Sequence, residues 1–247
     1  SGADVNPKNN EMKTPLHLVA IFGRDEVAPI LVNKAGINLN AQDKEGMTPL
    51  HWAVQDGRKE IAQTLIRKGA DLNVGDQWGR TPLHVAAVQG RWNLARVVAN
   101  ANGTNHNAKD RLGNTPLHLG TKKGEKLVEI LVESGANVHA INSQERTPLH
   151  SAVEHGDMEV VRLLVHADAY LGAKDNQGNT PLHLGAQKGE KLVEILVESG
   201  ADVNSTNNQG KTPLDVADDV SVILLLEDHA KKTKRREGGG KDEGKSG

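Results

Sequence analysis

The phrase Thr-Pro-Leu-His occurs six times, starting at Thr14, Thr48, Thr81, Thr115, Thr147 and Thr180, and a seventh copy starting at Thr212 ends in Asp215. Successive threonines are 34, 33, 34, 32, 33 and 32 residues apart. A fixed period of this length admits few folds. Each copy must be one supersecondary unit that buries its apolar face only against its neighbours. Each phrase reads as a helix start: threonine caps, proline gives up an N–H that had no intrahelical partner, and leucine opens the apolar face. Trp52, Trp78, Trp92, Phe22 and Tyr170 are the only aromatic residues. The core must therefore be Leu, Val, Ile and Ala, which suits thin helical layers.

The run Gly79-Arg80-Thr81-Pro82-Leu83-His84-Val85-Ala86 and the later Gly200-Ala201-Asp202-Val203-Asn204 resemble the ankyrin repeat, over about residues 1–228. The resemblance implies an all-α ankyrin-repeat solenoid of stacked helix-turn-helix pairs with projecting β-hairpin loops. The expected organisation is a repeat domain over 1–229, with an N-terminal remnant and about seven repeats, the last a cap, then a disordered polar tail over 230–247. The first residues, Ser-Gly-Ala-Asp-Val-Asn, look like the end of a repeat, which reads as a fragment of a longer array or a processed or engineered start.

Departures from the period carry local expectations. In the first repeat a second helix is expected from about Asp25 to Lys34, with Val27, Ile30 and Leu31 as its buried stripe and Pro29 bending or fraying its start. Residues 113–138 and 178–203 agree at 23 of 26 positions, which points to duplication of a two-repeat unit. Both copies place glycine, Gly120 and Gly185, where the motif has alanine. A glycine inside a helix costs roughly 1 kcal/mol, so close helix contact is expected there. The fifth repeat has Glu145 and Asp168 at glycine positions and is expected to be the weakest. The last helix is expected over about 220–228. The loops between helix pairs mostly carry Asp or Asn followed three residues later by Gly, which is turn chemistry.

The residues argue against catalysis. Six of the 11 histidines belong to the phrase and lie one repeat apart, and the others, His106, His139, His155, His166 and His229, lack ligand spacing, so no metal site is expected. In the resembled fold the phrase histidine ties its own threonine to a neighbouring loop. No phosphate-binding loop, nucleophile set or paired carboxylates stand out, so neither enzyme activity nor a cofactor is expected. The net charge of −2 implies no bulk attraction to nucleic acid or membrane. The absence of cysteine fits a reducing compartment, and a cytoplasmic monomer is expected. The basic run Lys231–Arg236 reads either as a nuclear-import patch or as a solvated end.

The expected function is protein–protein binding by a scaffold or adaptor, with a regulatory or targeting region of a larger protein or microbial effector as the alternative. In the resembled family, partners lie along the finger tips and the solvent side of the first helices. On this chain that track is Phe22, Met47, Gln77, Trp78, Arg80, Val88, Gln89, Arg111, Leu112, Lys122, Lys123, Arg146, Glu154 and His155. Trp78 has two readings: an interface anchor, or a ring lying flat on the adjacent finger to stiffen the stack. Trp52 reads as core and Trp92 as half-buried packing. The resemblance also makes Asn40, Asn73 and Asn204 candidates for hydroxylation.

Overall fold

The computed structural model describes residues 4–238, and no strand occurs among them. They form two compact units, one ending at Ser143 and the other beginning at Gln144. In the first, α1 (Pro15–Phe22) pairs with α2 (Ala28–Val32), α3 (Pro49–Gln55) with α4 (Lys59–Arg67), and α5 (Pro82–Gln89) with α6 (Trp92–Ala99). The fourth pair is α7 (Pro116–Gly120), extended by a 3-10 turn, and α8 (Glu125–Glu133). The first helices pack on one another in one row and the second helices in another. The second unit repeats this with α9 (Pro148–His155), α10 (Met158–His166), α11 (Pro181–Ala186) and α12 (Glu190–Glu198), against which α13 (Val220–Gly238) packs.

Helical periodicity selects the core. In α4, Ile61, Ala62 and Leu65 are buried, while Lys59, Glu60 and Arg67 are exposed. Two sequence expectations need correction at the ends. Pro29 is tolerated only in a first turn, so α2 begins at Ala28 and is five residues long. Its buried residues are then Ala28 and Val32, and the expected stripe residues Val27 and Ile30 are exposed. At the other end α13 runs on to Gly238, so residues 230–238 are helical rather than a disordered tail. The rest of that tail, 239–247, lies outside the described residues.

The repeated phrase works as a staple. The Thr14 N–H and hydroxyl both donate to His17 Nδ1, at 3.0 and 2.9 Å, while His17 Nε2 lies 3.0 Å from the Met47 carbonyl of the next repeat. A carbonyl only accepts, so Nε2 carries the proton and Nδ1 is the acceptor. His51 reaches Arg80 O at 2.8 Å and His84 reaches Asn114 O at 3.0 Å. In the second unit His150 reaches Asn179 O at 3.1 Å and His183 reaches Lys211 O at 3.0 Å. Burial disfavours the imidazolium and lowers all five, His51 to about 4. The threonine hydroxyl serves the ring more than the helix cap. Its contacts to the third helical N–H are long, 3.4 Å at Thr48 and 3.5 Å at Thr147. In the seventh copy Asp215 keeps only the threonine half, accepting from Thr212 N and Oγ1 at 2.8 Å each, and the helix shrinks to a 3-10 turn.

The projecting loops are turns closed by a side-chain oxygen, a carboxylate at Asp43, Asp76, Asp110 and Asp175 and an amide at Asn9 and Asn207, not strand ladders, which corrects the expected β-hairpins. In the 43–47 loop, Asp43 N–H donates to Met47 O, and Asp43 Oδ1 accepts from Glu45 N and Met47 N at 2.9 Å each. Neighbouring fingers join by one backbone bond each: Lys44 N to Glu11 O, Gln77 N to Glu45 O, Arg111 N to Trp78 O, and Ser143 N to Leu112 O. The turn needs a left-handed residue before the phrase, with φ of 76° at Gly79. Met12 and Glu145 fill that place with φ of 59°, and Asp168 takes φ of 60° after α10, where other repeats have glycine. The helix glycines are explained by contact: a Cβ on Gly120 would stand 3.0 Å from Leu131 Cδ1, and one on Gly185 would stand 3.1 Å from Leu196 Cδ1.

Candidate functional site

The fingers of the first unit hold a set of partly exposed side chains on buried acids. Asp76 is the pivot. Its Oδ1 accepts from Trp78 N and Arg80 N at 2.9 Å each, and its Oδ2 accepts from Arg80 Nε at 2.9 Å and Nη2 at 2.7 Å. The Arg80 guanidinium then stacks 4.3 Å from the centre of the Trp78 ring, which is 45% exposed. The ring leans on its own finger's arginine, and its contact to the next finger is through its backbone carbonyl.

The preceding finger uses the same device differently. Asp43 Oδ2 accepts from Trp52 Nε1 at 2.9 Å and pairs with Lys13 at 3.2 Å, and Lys13 lies 4.9 Å from the Trp52 ring centre. Burial pushes the Asp43 carboxyl up, but bonds from Trp52, Met47 and Lys13 outweigh it and leave it below the usual carboxylate range. Trp52 is half-buried and hydrogen-bonded rather than pure core. In the second unit Arg146 Nη1 is 2.9 Å from Glu154 Oε1, and Arg146 Nε is 3.4 Å from the buried Asp175.

The structure divides the expected track. Phe22 and Leu112 are well exposed, at 62% and 68%, and Gln77, Gln89, Arg111, Lys122 and Lys123 are exposed with Trp78. Val88 and Arg80 are half-buried. In the second unit Glu154 and His155 are exposed and Arg146 is half-buried. Met47 leaves the track: it is 1% exposed, because at this position an apolar side chain turns into the core where Arg80 and Lys211 of other repeats do not. Asp76, which positions both Trp78 and Arg80, was missed. Its signal was present as the acid three residues before Gly79, which sequence alone marks only as a turn. Asn40 Oδ1 accepts from Asp71 N, and Asn73 bonds Asn105 N and Gly103 O, each at 2.8 Å, so these amides link successive repeats.

The family model for ankyrin repeats in three copies matches the chain at residues 1–76, 60–142, 102–175, 126–207 and 169–236. The chain belongs to the ankyrin-repeat family. Among solved structures it is similar to the ankyrin repeat domain of Bcl-3, described as a unique member of the IkappaB protein family. That match has 31% identity and a TM-score of 0.82, covering 87% of this chain and 98% of the other. The human ASB11 ankyrin repeat domain matches at 28% identity and a TM-score of 0.74, covering 88% and 98%. No curated protein sequence matches. Ankyrin repeat domains are protein–protein interaction modules and are typically non-catalytic. Among the described residues of this ankyrin array no group of three or more His, Cys, Asp or Glu could hold a metal ion. None of its described helices is long and apolar enough to cross a membrane.

Proposed function

We propose that this ankyrin array is a scaffold or adaptor that binds a partner protein along the fingers and first-helix ends of its first unit, centred on Trp78. The observation that carries the reading is the Asp76–Arg80–Trp78 arrangement. A half-exposed indole, fixed by a stacked guanidinium that is itself fixed by a buried carboxylate, loses little freedom on binding. Tryptophan and arginine are the residue types that dominate interface energetics, at roughly 2 kcal/mol or more each. Leu112 and Arg111 on the next finger, and Gln89 at the end of α5, extend the surface. Arg146 and Glu154 pair in the second unit, with Arg146 also on the buried Asp175, and the exposed His155 follows Glu154 at the end of α9.

The test compares the native chain with a Trp78→Ala/Arg111→Ala variant as bait in lysate of the source cell, followed by hydroxyl-radical footprinting of whatever is recovered. A protein held by the native chain alone, with protection over residues 77–89 and 111–112, supports the reading. Equal recovery by both baits refutes the finger site.

A further inference from the structure

The row of second helices carries a different surface. An open groove of about 710 Å³ runs between α4 and α6, with Lys126 of α8 at its edge. Lys59 and Arg67 line it from α4, Arg96 and Trp92 from α6, and Lys126 from α8, with Ile66 in its floor. No carboxylate lines it, and α6 has no acidic residue. Among the described residues no carboxylate pairs with any of the four cations. Arg67 Nη2 donates to Thr64 Oγ1 of its own helix at 3.1 Å, and the Trp92 ring centre is 3.6 Å from Lys126 Nζ. Trp92 is 43% exposed, while Leu94, Ala95 and Val98 supply the buried face of α6, so packing does not require an indole there.

Four cations with no carboxylate partner, lining one groove with a half-exposed indole, are complementary to a short anion with an apolar side chain. We propose that this groove binds a short acidic segment of a protein. Its carboxylates meet Lys59, Arg67, Arg96 and Lys126, and one aliphatic side chain lies against Trp92 and Ile66. Each exposed ion pair is worth little alone, so affinity comes from several charges acting together, and Trp92 adds area that salt does not screen. A long polyanion fits less well, because α8 itself carries Glu125, Glu129 and Glu133 and the whole chain is net negative at −2. The groove uses none of the finger residues, so it stands or falls apart from the Trp78 surface.

The probe is a fluorescein-labelled Glu-Glu-Leu-Glu-Glu peptide, followed by anisotropy at low salt against the full chain. Saturable binding is expected, and a Gln-Gln-Leu-Gln-Gln peptide is expected to bind at least about tenfold more weakly. Arg67→Glu/Arg96→Glu is expected to weaken the acidic peptide by at least about tenfold, and Trp92→Ala by a smaller factor. Lys122→Glu/Lys123→Glu, with the same charge change on the first-helix side, and Trp78→Ala are expected to leave binding unchanged. All substituted side chains are exposed or half-exposed, so circular dichroism spectra should superimpose. Equal binding by the native chain and the Arg67/Arg96 variant overturns the proposal, as does no binding by the native chain. Tighter binding of an oligothymidylate of equal charge overturns it in favour of a general polyanion site.

Discussion

The histidine staples make the array acid-sensitive well above the range where carboxylates titrate. Burial takes His51 from an ordinary 6.5 to about 4, and protonation would place a second N–H on Nδ1 against the donating Thr48 N–H. The unfolded chain therefore binds more protons between these values. Stability is full above pH 6.5, falls as pH drops through 6.5, and levels off below about 4. Integrated to pH 5, His51 alone removes about 2 kcal/mol, and over the whole range roughly 3 kcal/mol. His17, His84, His150 and His183 are lowered as well and act in the same sense. The assay is urea unfolding followed by far-ultraviolet circular dichroism between pH 7.5 and 5.0, beside NMR titration of the His51 ring. The midpoint should fall steadily, and His51→Gln should reduce the acid-induced loss by about 2 kcal/mol while lowering stability at pH 7.5. A midpoint that does not move between pH 7.5 and 5.0, or a His51 ring that titrates near 6.5, refutes the staple as the source.

Glu145→Gly should stabilise the second unit by about 1 kcal/mol in urea unfolding, since it removes a left-handed side chain with φ of 59°; a loss would show the turn is not strained. Gly120→Ala should destabilise by about 1 kcal/mol or more despite alanine's better helix propensity, because Leu131, 3.0 Å from the new Cβ, is fully buried and has nowhere to go. A rise in thermal midpoint would refute that. Asp76→Asn should cost about 1–3 kcal/mol and raise the mobility of Trp78, read as lower tryptophan anisotropy in a Trp52→Phe/Trp92→Phe background. Unchanged anisotropy would separate Trp78 from Arg80.

What the sequence made legible is what the period demands. The six first-helix starts at Thr-Pro-Leu-His, the left-handed places at Glu145 and Asp168, and the close contacts at Gly120 and Gly185 all follow from residues the repeat cannot change freely. The failures share a cause as well. The stripe assigned to Val27, Ile30 and Leu31 assumed a full-length helix, and one proline moved the start by three residues and turned the face. Residues 230–238 lack apolar periodicity, yet they continue a helix already nucleated by the packed turns of α13, and propagation adds one hydrogen bond per residue fixed. Met47 looked variable and therefore available. The same position holds the half-buried Arg80 and the exposed Lys211 in other repeats, whose carbonyls also serve a histidine, so it is the apolar thioether chain of Met47 that takes it into the core.

The candidate surfaces were less legible, and the duplicated helices show why. α8 and α12 have the same sequence, Glu-Lys-Leu-Val-Glu-Ile-Leu-Val-Glu. In the first unit Lys126 lies over Trp92, at the start of the preceding second helix. Lys191 is its counterpart in the second unit, and the preceding second helix there starts with Met158 and carries Glu159. No ring is available for the same stacking, and Glu159 stands where α6 has Asn93. One helix sequence thus sets its first lysine over an indole in one place and has no indole to meet in the other. A repeat's buried residues answer to a demand that every copy makes, so they can be read one repeat at a time. Its exposed residues acquire meaning only from the neighbour they are stacked beside. The peptide that binds beside Trp92 should accordingly find no equivalent site at Met158, and Met158→Trp alone should not create one while Glu159 remains.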